Sequence, residues 1–305
     1  MSRQVDILVI GGGVSGLSAG AGAARLGRAT LILTGETVGG QLLSIEKIDG
    51  LPDHPEGAPG YDFCPMLQEQ AEEAGAEFLM TSATKIERAD DAWRVETGEG
   101  EIVARGVIVA TGTSLKKLGV PGEDRLFGKG VSHCASCDAP LLRGKVAAVV
   151  GGGDSAMQEA LTLAAHAAKV IMLDRGASLA GQEIYRAEVS ANPRIEIRHG
   201  VTVSEILGDS AMTGVRTSHG DVEAAAVFAY VGLDPVTGFL SGVTPLDADG
   251  RVVTDAEGRT EHAGLCAAGN IRAGSSHRAG GALRDGSRAA AALDRWLADG
   301  IWRDA

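Results

Sequence analysis

The chain has 305 residues, and its 28 Lys+Arg against 40 Asp+Glu leave a formal net charge of −12. A field of that sign repels phosphate backbones and anionic lipid, which excludes nucleic acid and membrane surfaces as expected partners. Glycine reaches 44 residues, about double the usual share of roughly 7%, and with no collagen-like period those glycines belong in special backbone positions.

The length predicts two domains, each large enough to bury a core. In chain order, the first predicted element is a buried strand, residues 5–10, which runs into Gly11-x-Gly13-x-x-Gly16 and opens an Ala-rich helix. No apolar run reaches the ~18 residues a membrane span needs, and Ile7 to Ile10 is too short for a signal-peptide core, so the chain reads as cytoplasmic. Residues 61–78 read as an amphipathic helix, and 92–97 with 101–110 as a hairpin leading to Ala110-Thr111-Gly112-Thr113. From Lys145 the opening pattern returns: KVAAVVGGGDSAMQEALTLAAHAAKVIMLDRG superimposes at a constant offset on VDILVIGGGVSGLSAGAGAARLGRATLILTG. Each copy reads as strand, glycine turn, helix and strand, the βαβ unit of a parallel sheet. The predicted fold class is therefore α/β with two Rossmann-like, three-layer domains. Residues 194–231 are strand-rich, 235–245 suit a linker, 264–270 form a short strand entering a glycine turn, and 281–297 an Ala-rich helix read as packing.

Gly11, Gly13 and Gly16 follow a Val/Ile strand and precede a helix, the setting in which such glycines permit a tight turn and close approach of a pyrophosphate. The second copy, Gly151-x-Gly153-x-x-Ala156, carries the permitted alanine at its last position. Two dinucleotide folds in one chain imply one bound flavin and one diffusing nicotinamide, since hydride transfer needs a donor site and an acceptor site. Cys134-Ala135-Ser136-Cys137 adds a third redox station, two thiols at a spacing that closes a small ring. Asp138 follows, placed to exchange a proton with a thiol. Half of a zinc site is the competing reading, but the chain holds no second C-x-x-C and no paired-histidine motif. Cys64 and Cys266 read as structural.

This order of motifs, with Val38-Gly39-Gly40-Gln41-Leu42 after the first glycine turn and Ala268-Gly269-Asn270 near the end, resembles low-molecular-weight thioredoxin reductase from end to end. Cys134-x-x-Cys137-Asp138 just before the second glycine motif separates that family from glutathione-reductase-like enzymes. The resemblance implies an FAD domain of residues 1–116 and 243–305, with a nicotinamide (NADH or NADPH) domain, 117–242, inserted between them. It implies FAD held by Gly11, Gly13, Gly16, Gly40, Gln41, Gly112, Gly269, Asn270, His277, Arg278 and Ala279, and the nicotinamide nucleotide by Gly151, Gly153, Ala156, Asp174 and Arg175. In such enzymes Cys137 would lie nearer the flavin, Cys134 would attack the partner disulfide and Asp138 would serve as acid and base. The implied partner is a thioredoxin-like protein or small disulfide, the implied assembly a homodimer, and the hinge candidates are residues 112–117 and 238–242.

The chain departs from that family in three places. Asn270 stands where Asp is common; a neutral amide still hydrogen-bonds a hydroxyl, so FAD is expected to remain. Ser276-His277-Arg278-Ala279 replaces Tyr-Arg-Gln-Ala, and His277 either tunes the flavin or is a surface histidine; His133, before Cys134, would lower the neighbouring thiol's pKa if protonated and close. Asp174-Arg175-Gly176-x-x-x-Ala180 replaces His-Arg-Arg-x-x-x-Arg, the stretch that reads the 2′-phosphate of NADPH. Asp174 sits near the usual spacing for a carboxylate that binds the ribose 2′-hydroxyl of NADH. Three readings stay open: NADH preference through Asp174, NADPH retained through Arg175, or a vestigial site with electrons exchanged with ferredoxin or oxygen. The matching functional alternatives are a nicotinamide-independent dithiol oxidase, a ferredoxin-linked reductase, and a flavin-binding redox sensor without turnover.

Overall fold

The computed structural model describes residues 3–51 and 53–302; residues 1, 2, 52 and 303–305, assigned by sequence to the flavin domain, lie outside the described residues. The chain divides into two units, one from the residues through Ser114 together with those from Asp234 onward, the other Leu115–Leu233.

The first unit runs β1 (Arg3–Ile10), α1 (Val14–Arg25), β2 (Thr30–Leu33), α2 (Gly60–Glu73), β3 (Glu77–Leu79), β4 (Ala83–Ala89), β5 (Ala92–Thr97) and β6 (Gly100–Val109). Strand β7 (Thr113–Leu115) leads out of it. The second unit holds β8 (Val131–Ser132), α3 (Ala135–Asp138), β9 (Val146–Val150), α4 (Asp154–His166), β10 (Lys169–Asp174), α5 (Glu183–Ala191) and β11 (Ile195–His199). It continues with β12 (Val203–Gly208), β13 (Met212–Thr217), β14 (Gly220–Glu223) and β15 (Ala226–Ala229). Strand β16 (Leu233–Pro235) leads back, and β17 (Leu265–Ala267) and α6 (Ala279–Asp299) complete the first unit.

In the first unit β3, β2, β1, β6 and β17 are parallel neighbours in that order. Strand β6 is long enough to be shared: residues 100–104 pair antiparallel with β5, and 107–109 pair with β17. The alternation of β1 then fixes the layers. Ile7 and Val9 join Ala19, Ala23, Ala289 and Leu293 of α1 and α6, while Leu8 and Ile10 join Ile86, Trp93 and Val95 of the β4–β5 hairpin. A strand buried on both faces reads as a continuous apolar run, and ILVI is that run.

The second unit repeats the plan. Its parallel sheet is ordered β11-β10-β9-β15-β8, with β12-β13-β14 as a separate antiparallel sheet. Val149, Val170 and Met172 pack on α4, while Val150, Ile171 and Leu173 pack with Ile206, Val215 and Val222 of the antiparallel sheet. The shared plan therefore extends beyond the repeated βαβ sequence to three layers in each unit.

Both boundaries differ from the sequence reading, which ended the first segment of the flavin domain at residue 116, against Ser114 in the structure, and began the second at residue 243. The chain rejoins the first unit at Asp234, because Leu240 is fully buried in that unit's core with Phe239 and Val243 beside it. The Gly/Pro content of 235–245 conceals this burial. Gly238–Leu240, the first part of the hinge candidate 238–242, is a short 3-10 helix within the first unit.

Helix α6 is pinned near its start by a buried pair. Arg272 Nε donates to Asp285 Oδ2 at 2.8 Å and Nη1 donates to Thr254 Oγ1 at 3.0 Å, with the Asp285 side chain 7% exposed. Deleting one member strands the other charge in a low dielectric, at a cost of about 3–5 kcal/mol. Asp285→Ala is expected to lose about 3 kcal/mol, read as a lower melting temperature of the apoprotein; an unchanged value would mean that water already screens the guanidinium.

Candidate functional site

In a parallel sheet all carboxyl ends open on one side, and ligands gather there. In the first unit those ends carry Gly11 after β1, Thr34 after β2, Ala110-Thr111-Gly112 after β6 and Ala268 to Asn270 after β17. They converge on a cavity of about 400 Å³ that is lined by Gly11, Gly13, Gly40, Gln41, Gly112, Asn270, His277, Arg278 and Ala279 among others, a size within the roughly 300–1,000 Å³ of ligand sites. Gly16 and Gly269 do not line it but stand against lining residues, Gly16 against Gly11 and Gly269 against Ser15. Gly11 has φ +122°, and a Cβ on Gly16 would lie 1.8 Å from the Gly11 carbonyl oxygen, so the turn closes only with glycine at both positions. Where a Cβ on Gly13 or Gly112 would stand there is open space. That cradle fits an elongated dinucleotide such as FAD, whose pyrophosphate lies against main chain at a helix N-terminus.

Polar groups on the rim are held by the protein. Gln41 Nε2 donates to the Thr113 carbonyl oxygen and, at 3.2 Å, to Thr113 Oγ1. Asn270 Oδ1 accepts from Ser275 Oγ at 3.1 Å. His277 has φ +52°, a conformation uncommon outside glycine. Burial, reinforced by the charges of Arg251 and Arg278, holds its imidazole below the ordinary histidine range, so it is neutral at pH 7.

In the second unit, Cys134 emerges from the carboxyl end of edge strand β8 and is joined to Cys137 by a disulfide. Helix α3 begins directly after Cys134, whose Sγ accepts the Cys137 N–H at 3.2 Å. The amide of Asp138 donates to the Cys134 carbonyl oxygen at 3.2 Å. His133 Nδ1 is buried without a hydrogen-bond partner among the described residues, and its ring packs against Phe127 at 5.4 Å. Tyr230 comes up from beneath: its hydroxyl donates to the His133 carbonyl oxygen at 3.5 Å and accepts the Ala135 N–H. Burial, then the charges of Glu159 and Asp138, raise its pKa far above the ordinary phenol value, so it stays neutral.

The second glycine turn opens at the same carboxyl end as the dithiol, after β9. A Cβ on Gly151 would lie 2.3 Å from the Tyr230 carbonyl oxygen and 3.1 Å from the Ala156 Cβ, and Gly153 faces open space. Asp174, ending β10, is buried against this turn; a Cβ on Gly152 would stand 2.5 Å from its Oδ1. Its Oδ1 accepts the Gly176 N–H at 3.1 Å and its Oδ2 lies 3.2 Å from His199 Nδ1. Arg175 is exposed. The following loop folds back, with Ala180 N–H donating to the Gly152 carbonyl oxygen and Gln182 N–H to Asp154 Oδ1.

The site residues named from sequence thus form two groups, the first-unit cavity and the carboxyl edge of the second sheet. The sequence reading missed Thr34, Tyr230 and His199. Thr34 was available from the repeat, since it occupies in the first copy the place of Asp174 in the second. Tyr230 and His199 carry no local signal, because only strand order brings them to the site. Cys64 and Cys266 are buried; burial pushes the Cys64 thiol up to about 11 and raises Cys266 further still. Since the thiolate is the reacting form, alkylation of the reduced native protein is expected to label Cys134 and Cys137 and spare the other two, as read by peptide mass spectrometry.

Residues 5–286 match the family model described as pyridine nucleotide-disulphide oxidoreductase. The chain is 34% identical over 305 residues to a thioredoxin reductase of Treponema pallidum (strain Nichols), covering 97% of this chain and 98% of that one. It is 34% identical over 304 residues to a bifunctional thioredoxin reductase/thioredoxin of Mycobacterium leprae (strain TN), covering 96% of this chain and 66% of that one. Among solved structures, Lactococcus lactis thioredoxin reductase in its FR conformation superposes with a TM-score of 0.93 at 31% identity, covering 97% of this chain and 99% of that one.

Proposed function

The chain belongs to the pyridine nucleotide-disulphide oxidoreductase family, as an FAD-dependent disulfide oxidoreductase of the thioredoxin reductase type, and on that premise we propose that Cys134 and Cys137 pass electrons from a nicotinamide nucleotide to the disulfide of a thioredoxin-like protein. The observation that carries this reading is the Cys134–Cys137 disulfide at the same carboxyl edge as the second glycine turn. The fused thioredoxin of the Mycobacterium leprae relative supports the partner. We read the assembly as a homodimer and the compartment as cytoplasmic; among the described residues no helix is long and apolar enough to cross a membrane.

FAD, when bound, supplies the two-electron relay between nicotinamide and disulfide. The first-unit cavity would hold it through Gly11, Gly13, Gly40 and Gly112, with the Asn270 amide available to its hydroxyls and neutral His277 beside Arg278 at the rim. In the reduced pair, the Cys134 thiolate attacks one sulfur of the partner disulfide, and the released partner thiolate takes a proton. The Cys137 thiolate then attacks Cys134, which restores the Cys134–Cys137 bond and releases the second partner thiol. Asp138, immediately after Cys137, holds or gives the proton these steps exchange.

Asp174 makes NADH the preferred donor in this reading, because a fixed carboxylate accepts from a 2′-hydroxyl and repels a 2′-phosphate. Anaerobic mixing with NADH is expected to bleach the flavin faster than with NADPH, and Asp174→Ala to bring the two rates together. An unchanged ratio in the variant would remove Asp174 from nucleotide choice. Bleaching by neither nucleotide, with reduction by dithiol or ferredoxin instead, would replace this reading by the nicotinamide-independent alternative.

A further inference from the structure

Asp174 does not hold its position unaided. Strand β11 runs parallel to β10 with His199 in register against Asp174, and the backbone beyond is tied across by Val201 N–H to the Asp174 carbonyl oxygen and Gly200 N–H to the Gly176 carbonyl oxygen, both at 2.9 Å. The ladder therefore presents the His199 ring to the carboxylate, Nδ1 at 3.2 Å from Oδ2, while Gly176 N–H holds Oδ1. The Asp174 side chain is 8% exposed and that of His199 39%, so the histidine is the member of the pair that faces solvent. Among the described residues each carboxylate oxygen has one hydrogen-bond partner, which leaves a second lone pair for a ligand hydroxyl.

We propose that His199 is a specificity-determining positioning residue of the nicotinamide site: by donating from Nδ1 to Asp174 Oδ2 it keeps the carboxylate seated against Gly152, where it accepts a ribose 2′-hydroxyl and excludes a 2′-phosphate. This rests on the nicotinamide-linked reading above. Without the imidazole, Asp174 is held on one oxygen only and can turn away from Gly152, leaving exposed Arg175 as the nearer charge in the chain to meet a 2′-phosphate.

The test is calorimetric titration of the oxidised FAD-loaded protein with NAD⁺ and with NADP⁺, which bind without reducing the flavin. Wild type is expected to bind NAD⁺ the tighter, and His199→Ala to lower the ratio of the two dissociation constants about tenfold, the worth of one hydrogen bond to a charged group. His199→Asn, whose amide N–H can replace the donor, is expected to recover most of the ratio, and His199→Ala to add nothing in an Asp174→Ala background. A purely structural role for His199 would weaken both nucleotides equally. That result, an unchanged ratio, no recovery with Asn, or a wild type that prefers NADP⁺ would each overturn the proposal while leaving nicotinamide-linked turnover intact. Binding of neither nucleotide by the wild type would overturn both.

Discussion

Cys137→Ser is expected to leave FAD fully bound and to lower turnover with thioredoxin at least about a thousandfold, because a lone Cys134 can neither store two electrons as a dithiol nor resolve the bond it makes with a partner. The cavity proposed for FAD is lined entirely by first-unit residues, neither of these cysteines among them, so cofactor content should not change. The same variant separates the two sulfurs. By exposure alone Cys137 would be the attacking thiol, since it is exposed while Cys134 is half-buried. The hydrogen bond points the other way: Cys134 Sγ accepts the Cys137 N–H, which favours its thiolate, and that backbone donor survives a serine at 137. Cys137→Ser should therefore accumulate a mixed disulfide between Cys134 and thioredoxin, visible by mass, and Cys134→Ser should not. Trapping by Cys134→Ser alone would reverse the roles, and full activity in either variant would remove the pair from the mechanism.

The two βαβ cores are legible in the sequence because their strands are buried on both faces and leave unbroken apolar runs, and because the glycines are required where they stand. Other elements lack that redundancy. Strand β4 shows only one fully buried residue, Ile86, in its seven, too little alternation to separate it from a loop. The helix read over 61–78 stops at Glu73, where Gly75 takes φ +94° and Ala76 N–H turns back to the Ala71 carbonyl oxygen. The apolar residues that follow, Phe78 and Leu79, serve β3 instead. Helix α6, read as packing, does pack on α1, yet its first residues, Ala279 and Ala282, also line the cavity. Tyr230 and His199 matter through which strand lies beside which, and no local pattern encodes that.

Gly13→Ala should separate folding from cofactor binding. Gly13 has φ −76° and ψ 178°, a conformation any residue adopts, and its missing Cβ points into space with no protein atom within 4 Å. For the protein alone the extra methyl is therefore harmless, and by restricting the unfolded chain it stabilises by about 0.4–1 kcal/mol. For the ligand it is an obstruction, because this glycine lines the cavity at the turn where main chain must approach the pyrophosphate. The expected result is an apoprotein that melts no lower than the wild type but binds FAD about a hundredfold more weakly, roughly 2.7 kcal/mol, measured by flavin fluorescence on titration. Gly16→Ala should behave in the opposite way, since its Cβ would meet the Gly11 carbonyl oxygen at 1.8 Å and the turn itself must open, lowering the apoprotein's melting temperature. If Gly13→Ala bound FAD as the wild type does, the pyrophosphate would have to lie elsewhere in the cavity, and Gly11 and Gly16 would be serving the fold alone.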